Sequence, residues 1–324
     1  MIKEISIRNF GIFKGLHKIV LSTDAITPVT VISTITASGK TTLIDAVCWC
    51  LYGKSSMKAD AIFNCERQQE LKTGEIDSVD VELIYSETQN FQRVYRSIAF
   101  KKVGDRIFRC PEYDSCSVEN HNLFPVETIA QTLILGELLH SPRFEAVIEE
   151  IGANYLRRHR IRNHEKLNAL FNVIMERIAA SASCAFKELN FRHGTYNIVW
   201  NGKFSMYRSD NNMLVNELSE TDRLVFNIAI LHGARDVLFE RKKGAALFPI
   251  FIDDIFMRAD KNQFSLDKLI QALPGRQVVV LAHENSLCDE SMSKYCGAFY
   301  TMRRTNNWTN VEIKRSVITA AVSV

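Results

Sequence analysis

The start of the chain, MIKEISIRNF, lacks the apolar block of a signal peptide. No window approaches the roughly 20 apolar residues that a membrane-spanning helix needs. These two absences predict a cytoplasmic protein with no membrane among its partners. The eight cysteines, at positions 48, 50, 65, 110, 116, 184, 288 and 296, contain no CxxC pair. That pattern offers neither a zinc site nor a disulfide framework, and free thiols are expected. There is no internal repeat and no low-complexity linker. One-sided charge is also missing: a net +3 does not by itself point to nucleic acid. Only the run LRRHRIRNHEK, Leu156 to Lys166, concentrates charge, with five Lys or Arg and two His.

What is present describes a globular α/β chain. Its 324 residues are 46% hydrophobic and 24% charged, enough for a substantial core in one large domain or two lobes. Short strands are predicted at KEISIRNF and HKIVLS, followed by an apolar strand, TPVTVIS, read as a sheet edge that leads into a loop. From Thr41, residues Leu43, Ala46, Val47, Cys50 and Leu51 recur at helical spacing, which predicts an amphipathic helix with Gly53 as its left-handed cap. Further strands are expected at SVDVELIYS and FQRVYRSIAF. Ser141 to Leu189 reads as mainly helical, interrupted at Gly152. TYNIVWNGKFSMYRS reads as a hairpin about Asn201 and Gly202. NELSETDRLVFNIAILHGARDVLF then predicts a capped helix, LFPIFIDD and RQVVVLAHE two strands, and GAFYTMRRTNNWTNVEIKRS a closing hairpin.

The loop after the third strand reads TITASGKTT. It follows the phosphate-binding pattern GxxxxGK[ST], except that Thr34 replaces the first glycine. In such a loop the backbone N–H groups of Thr36, Ala37, Ser38, Gly39 and Thr42, with the positive end of the next helix, surround the phosphates. Lys40 reaches the outer phosphates and the Thr41 hydroxyl takes a Mg2+ ion. The bland alternative is a Lys-bearing turn between a core strand and a core helix.

Downstream, LFPIFIDD delivers Asp253 to the metal, with Asp254 placed to orient or deprotonate a water. The same pair could be a helix N-cap and a turn. His283 ends VVVLAH, where a structural hydrogen bond is the ordinary fate of a lone histidine. In LSETD, Ser219 and Asp222 make a capping-box-like pair. They either cap a core helix or let the helix N-terminus and the Ser219 hydroxyl meet a γ-phosphate held by another subunit.

In this order the motifs ISIRNFGIFKG, GKTTLIDAVCWCLYG, KLNALFNVIMERI, LSETD, FIDDIFMRAD and VLAHE resemble ABC-type ATPase heads of the SMC and DNA-repair class. The likeness is greatest to DndD-type ATPases of DNA-modification-linked restriction systems. It implies a two-lobed α/β P-loop head with mixed sheets and flanking helices. Residues 1–140 would carry the P-loop, 141–190 would stand where relatives have a long coiled coil, and 191–324 would carry the signature, the paired aspartates and the switch histidine. It also implies an ATP sandwich. The P-loop and Asp253 of one subunit close on Ser219 of the other, Asp260 is the D-loop aspartate, and His283 senses the γ-phosphate.

Departures from the family pattern fall at Thr34 and Ala37 in the loop, at Thr221 in the signature and at Asp254, one methylene shorter than the usual glutamate. LGE at Leu135 to Glu137 lacks the family's glutamine, for which Gln131 is a weak substitute. A β-branched residue forced into an unusual backbone angle at Thr34 would cost on the order of 1 to 3 kcal/mol. The reading that follows is a Mg-ATP-dependent homodimer with slow hydrolysis, acting in DNA repair or antiviral defence. The alternative is a degenerate head that scaffolds or restrains a partner effector, such as a nuclease or toxin. Residues 156–166 could touch DNA or form a solvated helix junction.

Overall fold

The computed structural model describes residues 1–34, 39–53, 57, 61–86, 91–118, 164–189, 196–239, 249–253, 270, 277–283, 294–305 and 310–316. Two compact units emerge. One comprises Met1–Leu133, Leu247–Asp254 and Gln277–Val324, the other Ile134–Ala246 and Ile255–Arg276. The first unit is discontinuous in sequence, because strands from the end of the chain return to pair beside a strand near its start.

In the first unit, β1 (Ile2–Arg8) and β2 (Leu16–Val20) form at the two predicted strands and pair antiparallel. β3 (Val29–Thr34) runs into the GKT loop and α1 (Lys40–Tyr52) follows it. A short helix, α2 (Cys65–Glu70), precedes the long hairpin of β4 (Ile76–Ser86) and β5 (Phe91–Val103). Two short strands, β6 (Arg106–Arg109) and β7 (Ser115–Val118), both pair with β5. In the second unit lie α3 (His164–Leu189), the hairpin β8 (Tyr196–Trp200) and β9 (Phe204–Arg208), and α4 (Glu220–Phe239). The chain then returns to the first unit with β10 (Ile250–Asp253), β11 (Val278–His283), β12 (Cys296–Arg304) and β13 (Val311–Ser316).

The first unit is built on two sheets. One is antiparallel, in the order β2-β1-β4-β5-β6 with β7 also on β5; the other runs β10-β11-β3-β12-β13. In the second sheet β10, β11, β3 and β12 are parallel and only β13 is antiparallel. β3 is therefore the centre of its sheet and not an edge. Its residues, like those of β11 from Val278 to Ala282, are buried throughout, as expected of parallel strands covered on both faces. Side chains tie the two sheets together. The Tyr300 hydroxyl accepts from the Val20 N–H at 2.9 Å and donates to its carbonyl at 3.0 Å. The Gln277 amide receives the Ile2 N–H at 2.9 Å and donates to the Ile2 and Ser22 carbonyls, each at 2.7 Å.

α1 packs on β4 and β5. Every residue from Leu43 to Leu51 is buried, including Ile44, Asp45, Cys48 and Trp49, which one-faced amphipathicity would have left outside. A helix wrapped on all sides is a core helix. It ends as predicted, at Gly53 with φ 71°, whose N–H donates to the Trp49 carbonyl at 2.8 Å. Arg96 of β5 completes this end. Its Nε donates to the Trp49 carbonyl at 2.8 Å and its guanidinium lies 5.8 Å from the centre of the Trp49 indole.

In the second unit α3 packs along α4 and against β8. The close approach of the helices is made at Gly233, where an added Cβ would stand 2.4 Å from the Ile178 carbonyl, and Ser181 donates to Asp236 at 3.1 Å. Ser183 bridges to β8, accepting the Ile198 N–H at 2.7 Å and donating to its carbonyl at 3.0 Å. The Asn201–Gly202 turn forms with Lys203 as a third loop residue, closed by the Trp200–Phe204 pair, and Gly202 takes φ 88°. One expectation needs correction. The stretch Glu165–Leu189 is long and apolar enough to cross a membrane by length and composition, although no such window was expected. Its buried residues Met175, Ile178, Ala179, Ala182, Ala185, Phe186 and Leu189 recur at three- and four-residue spacing, the pattern of a helix packed on a protein core. Residues 141–163, with Gly152 and most of the basic run, lie outside the described residues, as do Leu135 to Glu137 and Gln131.

Candidate nucleotide site

Parallel strands end together, and a ligand in such a sheet sits beyond their carboxyl ends. Here Thr34 of β3 is level with His283 of β11, and Asp253 of β10 is level with Leu281. The loop that leads to Gly39, Lys40 and Thr41, the aspartate strand and the histidine strand therefore open onto one edge of one sheet. The family resemblance implied this gathering; the parallel register sets the three strand ends side by side.

α1 begins at that edge. Gly39 takes the left-handed conformation, φ 99° and ψ 16°, and its carbonyl accepts the Leu43 N–H at 2.9 Å to start the helix. Among the described residues no side chain caps this terminus, and no acidic residue lies in its first turn. A helix N-terminus of this kind, with its first N–H groups and positive end, is suited to an external anion. Lys40 and Thr42 are half-buried, and Thr41 is exposed where a metal held beside a phosphate could meet its hydroxyl. This donor set fits a Mg-nucleotide: backbone N–H groups and an ammonium for the phosphates, a hydroxyl and the aspartate that ends β10 for the ion. Among the described residues there is no cluster of three or more His, Cys, Asp or Glu that would hold a metal unaided.

Thr34 carries no strain. It is fully buried in the extended β3 ladder, paired with His283 on one side and Met302 on the other, and its hydroxyl donates to the Ala282 carbonyl at 3.4 Å. The only described non-glycine residues with positive φ are Asn9 and Asn212. Loss of the first glycine therefore costs no unusual backbone angle at residue 34, contrary to the expectation from the motif.

Ser219 lies in the second unit, at the start of α4. Its Oγ accepts the Asp222 N–H at 3.1 Å and donates to the Asp222 carboxylate at 2.6 Å. The cap predicted at LSETD is thus formed, and the hydroxyl proton is already committed to Asp222. Thr36, Ala37, Ser38, Asp254 and Asp260 lie outside the described residues; of Asp253, the backbone alone is described.

Sequence reasoning missed the turn that lies against Gly39. Asn9 and Gly11 both take left-handed conformations, φ 54° and 56°. The Ile12 side chain behind them fills the space beside Gly39: a Cβ on that glycine would lie 2.3 Å from Ile12 Cδ1. The signal was the Asn-Phe-Gly triplet between two strands, because Asn and Gly are the residues that accept positive φ.

Residues 4–273 match the family described as AAA domain. No curated protein matches. Among solved structures, the chain is similar to an SmcHead bound to the C-winged helix domain of ScpA, at TM-score 0.58 and 11% identity over 98% of each chain. It is similar to the SMC head domain from Thermotoga maritima, at TM-score 0.52 and 14% identity, covering 98% of this chain and 99% of that one. A third similar structure is the recombination mediator protein RecF-ATP in the RecFOR pathway, at TM-score 0.51 and 13% identity, covering 98% and 97%. At these identities the shared property is the fold: a mixed α/β head.

Proposed function

The chain belongs to the AAA domain family, and on that premise we propose that it is an SMC-like, ABC-type ATPase head that binds Mg-ATP and dimerises around it. The observation that carries this reading is the shared sheet edge onto which the Gly39–Thr41 helix start, Asp253 and His283 open. Lys40 and the N–H groups of the loop and helix start, from Thr36 to Thr42, hold the triphosphate; Thr41 and Asp253 hold the ion. Asp254 orients the attacking water, and His283 stands beside the outer phosphate. A second copy supplies Ser219 and Asp260 to close the site.

Hydrolysis is slow in this reading. Asp254 is one methylene shorter than a glutamate, and an error of about 1 Å in such a group costs on the order of 10²-fold in rate. Thr221 puts a β-branched side chain where the signature of related heads has glycine. Ser219 must also turn its hydroxyl from Asp222 toward a phosphate. Lys40 and Thr41 are intact, so grip outlasts turnover.

The likeness to DndD-type heads supports a cytoplasmic place in defence against foreign DNA or in DNA repair, with DNA met through residues 156–166 and any cutting done by a partner nuclease. Phosphate release with and without DNA tests the reading. Slow release that DNA stimulates, and that Lys40→Ala abolishes, supports a DNA-linked switch. An ATP-bound dimer without release supports a head that restrains an effector. Release at the rate of ordinary enzymes, about 1 to 10³ per second and lost in Lys40→Ala, contradicts slow hydrolysis.

A further inference from the structure

We propose that Asn64 is a positioning residue for nucleotide binding, acting through the Gly11–Ile12 turn on Gly39 and the first turn of α1. The inference rests on the reading of that helix start as the phosphate site. Asn64 is fully buried and uses both ends of its amide. Its Nδ2 donates to the Gly11 carbonyl at 2.8 Å and to Asn310 Oδ1 at 3.2 Å, while its Oδ1 accepts the Arg67 N–H at 3.0 Å as the N-cap of α2. Its own N–H donates to the Asn9 carbonyl at 2.9 Å, and the Gly11 N–H donates to Ile62 at 2.7 Å. Segment 62–64 is thereby clipped along segment 9–11.

Ile12 lies between the two points that the Asn64 amide holds. Gly11 precedes it, and its own carbonyl accepts from Val311, the neighbour of Asn310, at 3.1 Å. Held at both ends, the turn touches α1 at two places. Ile12 Cδ1 fills the position of an absent Gly39 side chain, and Gly11 lies so close to Thr42 that an added Cβ would be 2.8 Å from its methyl group. These contacts flank Lys40 and Thr41. A site built from backbone N–H groups is sensitive to small displacements, and this turn fixes the glycine from which they radiate.

The test is Mg-ATP affinity of the full chain by titration calorimetry, beside thermal melting without nucleotide. Asn64→Asp keeps the acceptor that caps α2 and removes the donor to Gly11. Ile12→Ala removes the wedge itself. Ile19→Ala, fully buried in β2, is the packing control. The expected result is a loss of affinity of about tenfold in each of the first two variants. Ile19→Ala should melt earlier yet bind like wild type. The double variant Asn64→Asp/Ile12→Ala should bind no more weakly than the weaker single variant, since one acts through the other. Should Asn64→Asp not fold, a stepwise fall in affinity from wild type to Ile12→Val to Ile12→Ala supports the proposal, and equal affinities overturn it. Multiplying losses in the double variant, or wild-type affinity in Ile12→Ala, overturns this inference alone. No binding by wild type overturns the site reading with it.

Discussion

His283 stands beside Thr34: the last residues of β11 and β3 are register partners in a parallel ladder. The relationship puts His283 level with the position where the phosphate-loop motif expects glycine. It also explains why a threonine is accepted there, since a ladder position needs extended geometry and favours β-branching.

Restoring the missing glycine should therefore do harm. Thr34→Gly removes a buried hydroxyl that donates to the Ala282 carbonyl and places a flexible residue in a central strand. The expected cost is about 1 to 2 kcal/mol of stability, read as a lower urea midpoint, with no gain in Mg-ATP affinity. A tighter-binding variant of unchanged stability would show that Thr34 is a defect of the loop.

How much of this was legible beforehand depended on whether the signal was local. β3, β10 and β11 are apolar runs, and Gly53 ends its helix by its own freedom at φ 71°, so each could be read from its own residues. α2 could not: its sequence CERQQE buries no residue. It is held by the Asn64 cap and by the salt bridges of Lys14 to Glu66 and Glu70, whose partners lie far apart in sequence. The central place of β3 was equally hidden, since nothing in TPVTVIS says that residues 278–283 and 296–302 will flank it. Within the site, GKT and the paired aspartates were visible as motifs. The wedge of Ile12 on Gly39 was not, because it is a contact between side chain and glycine across two turns.

Arg96 should matter to the C-terminal end of α1. It donates to the Trp49 carbonyl, lies over the indole and places positive charge at the helix C-terminus. Arg96→Met keeps the aliphatic bulk and loses those interactions, for an expected cost of about 1 to 2 kcal/mol. Denaturant unfolding measures it; an unchanged midpoint would mean that Gly53 alone secures this end.

His17 gives stability an acid limb. Its ring is half-buried against Phe13, and Nε2 donates to the Lys14 carbonyl at 2.8 Å. Burial holds its pKa below the ordinary 6.5, with the carbonyl bond opposing that shift. The folded state therefore binds the proton less readily than the unfolded chain. This contribution is complete above about 6.5 and is lost as pH falls through the lowered folded value. His17→Gln should flatten the dependence of melting temperature on pH below 6.5 relative to wild type. An equal slope in both proteins would remove His17 from the account.

The most direct measurement is the mass of the chain in solution by light scattering, with and without Mg-ATP, for wild type and Lys40→Ala. The account predicts that nucleotide shifts wild type from 37.0 kDa to twice that mass, while Lys40→Ala stays monomeric and melts like wild type without nucleotide. A wild-type mass that ignores Mg-ATP, or a Lys40→Ala protein that dimerises with it equally well, would contradict the proposal that this sheet edge grips ATP to join two heads.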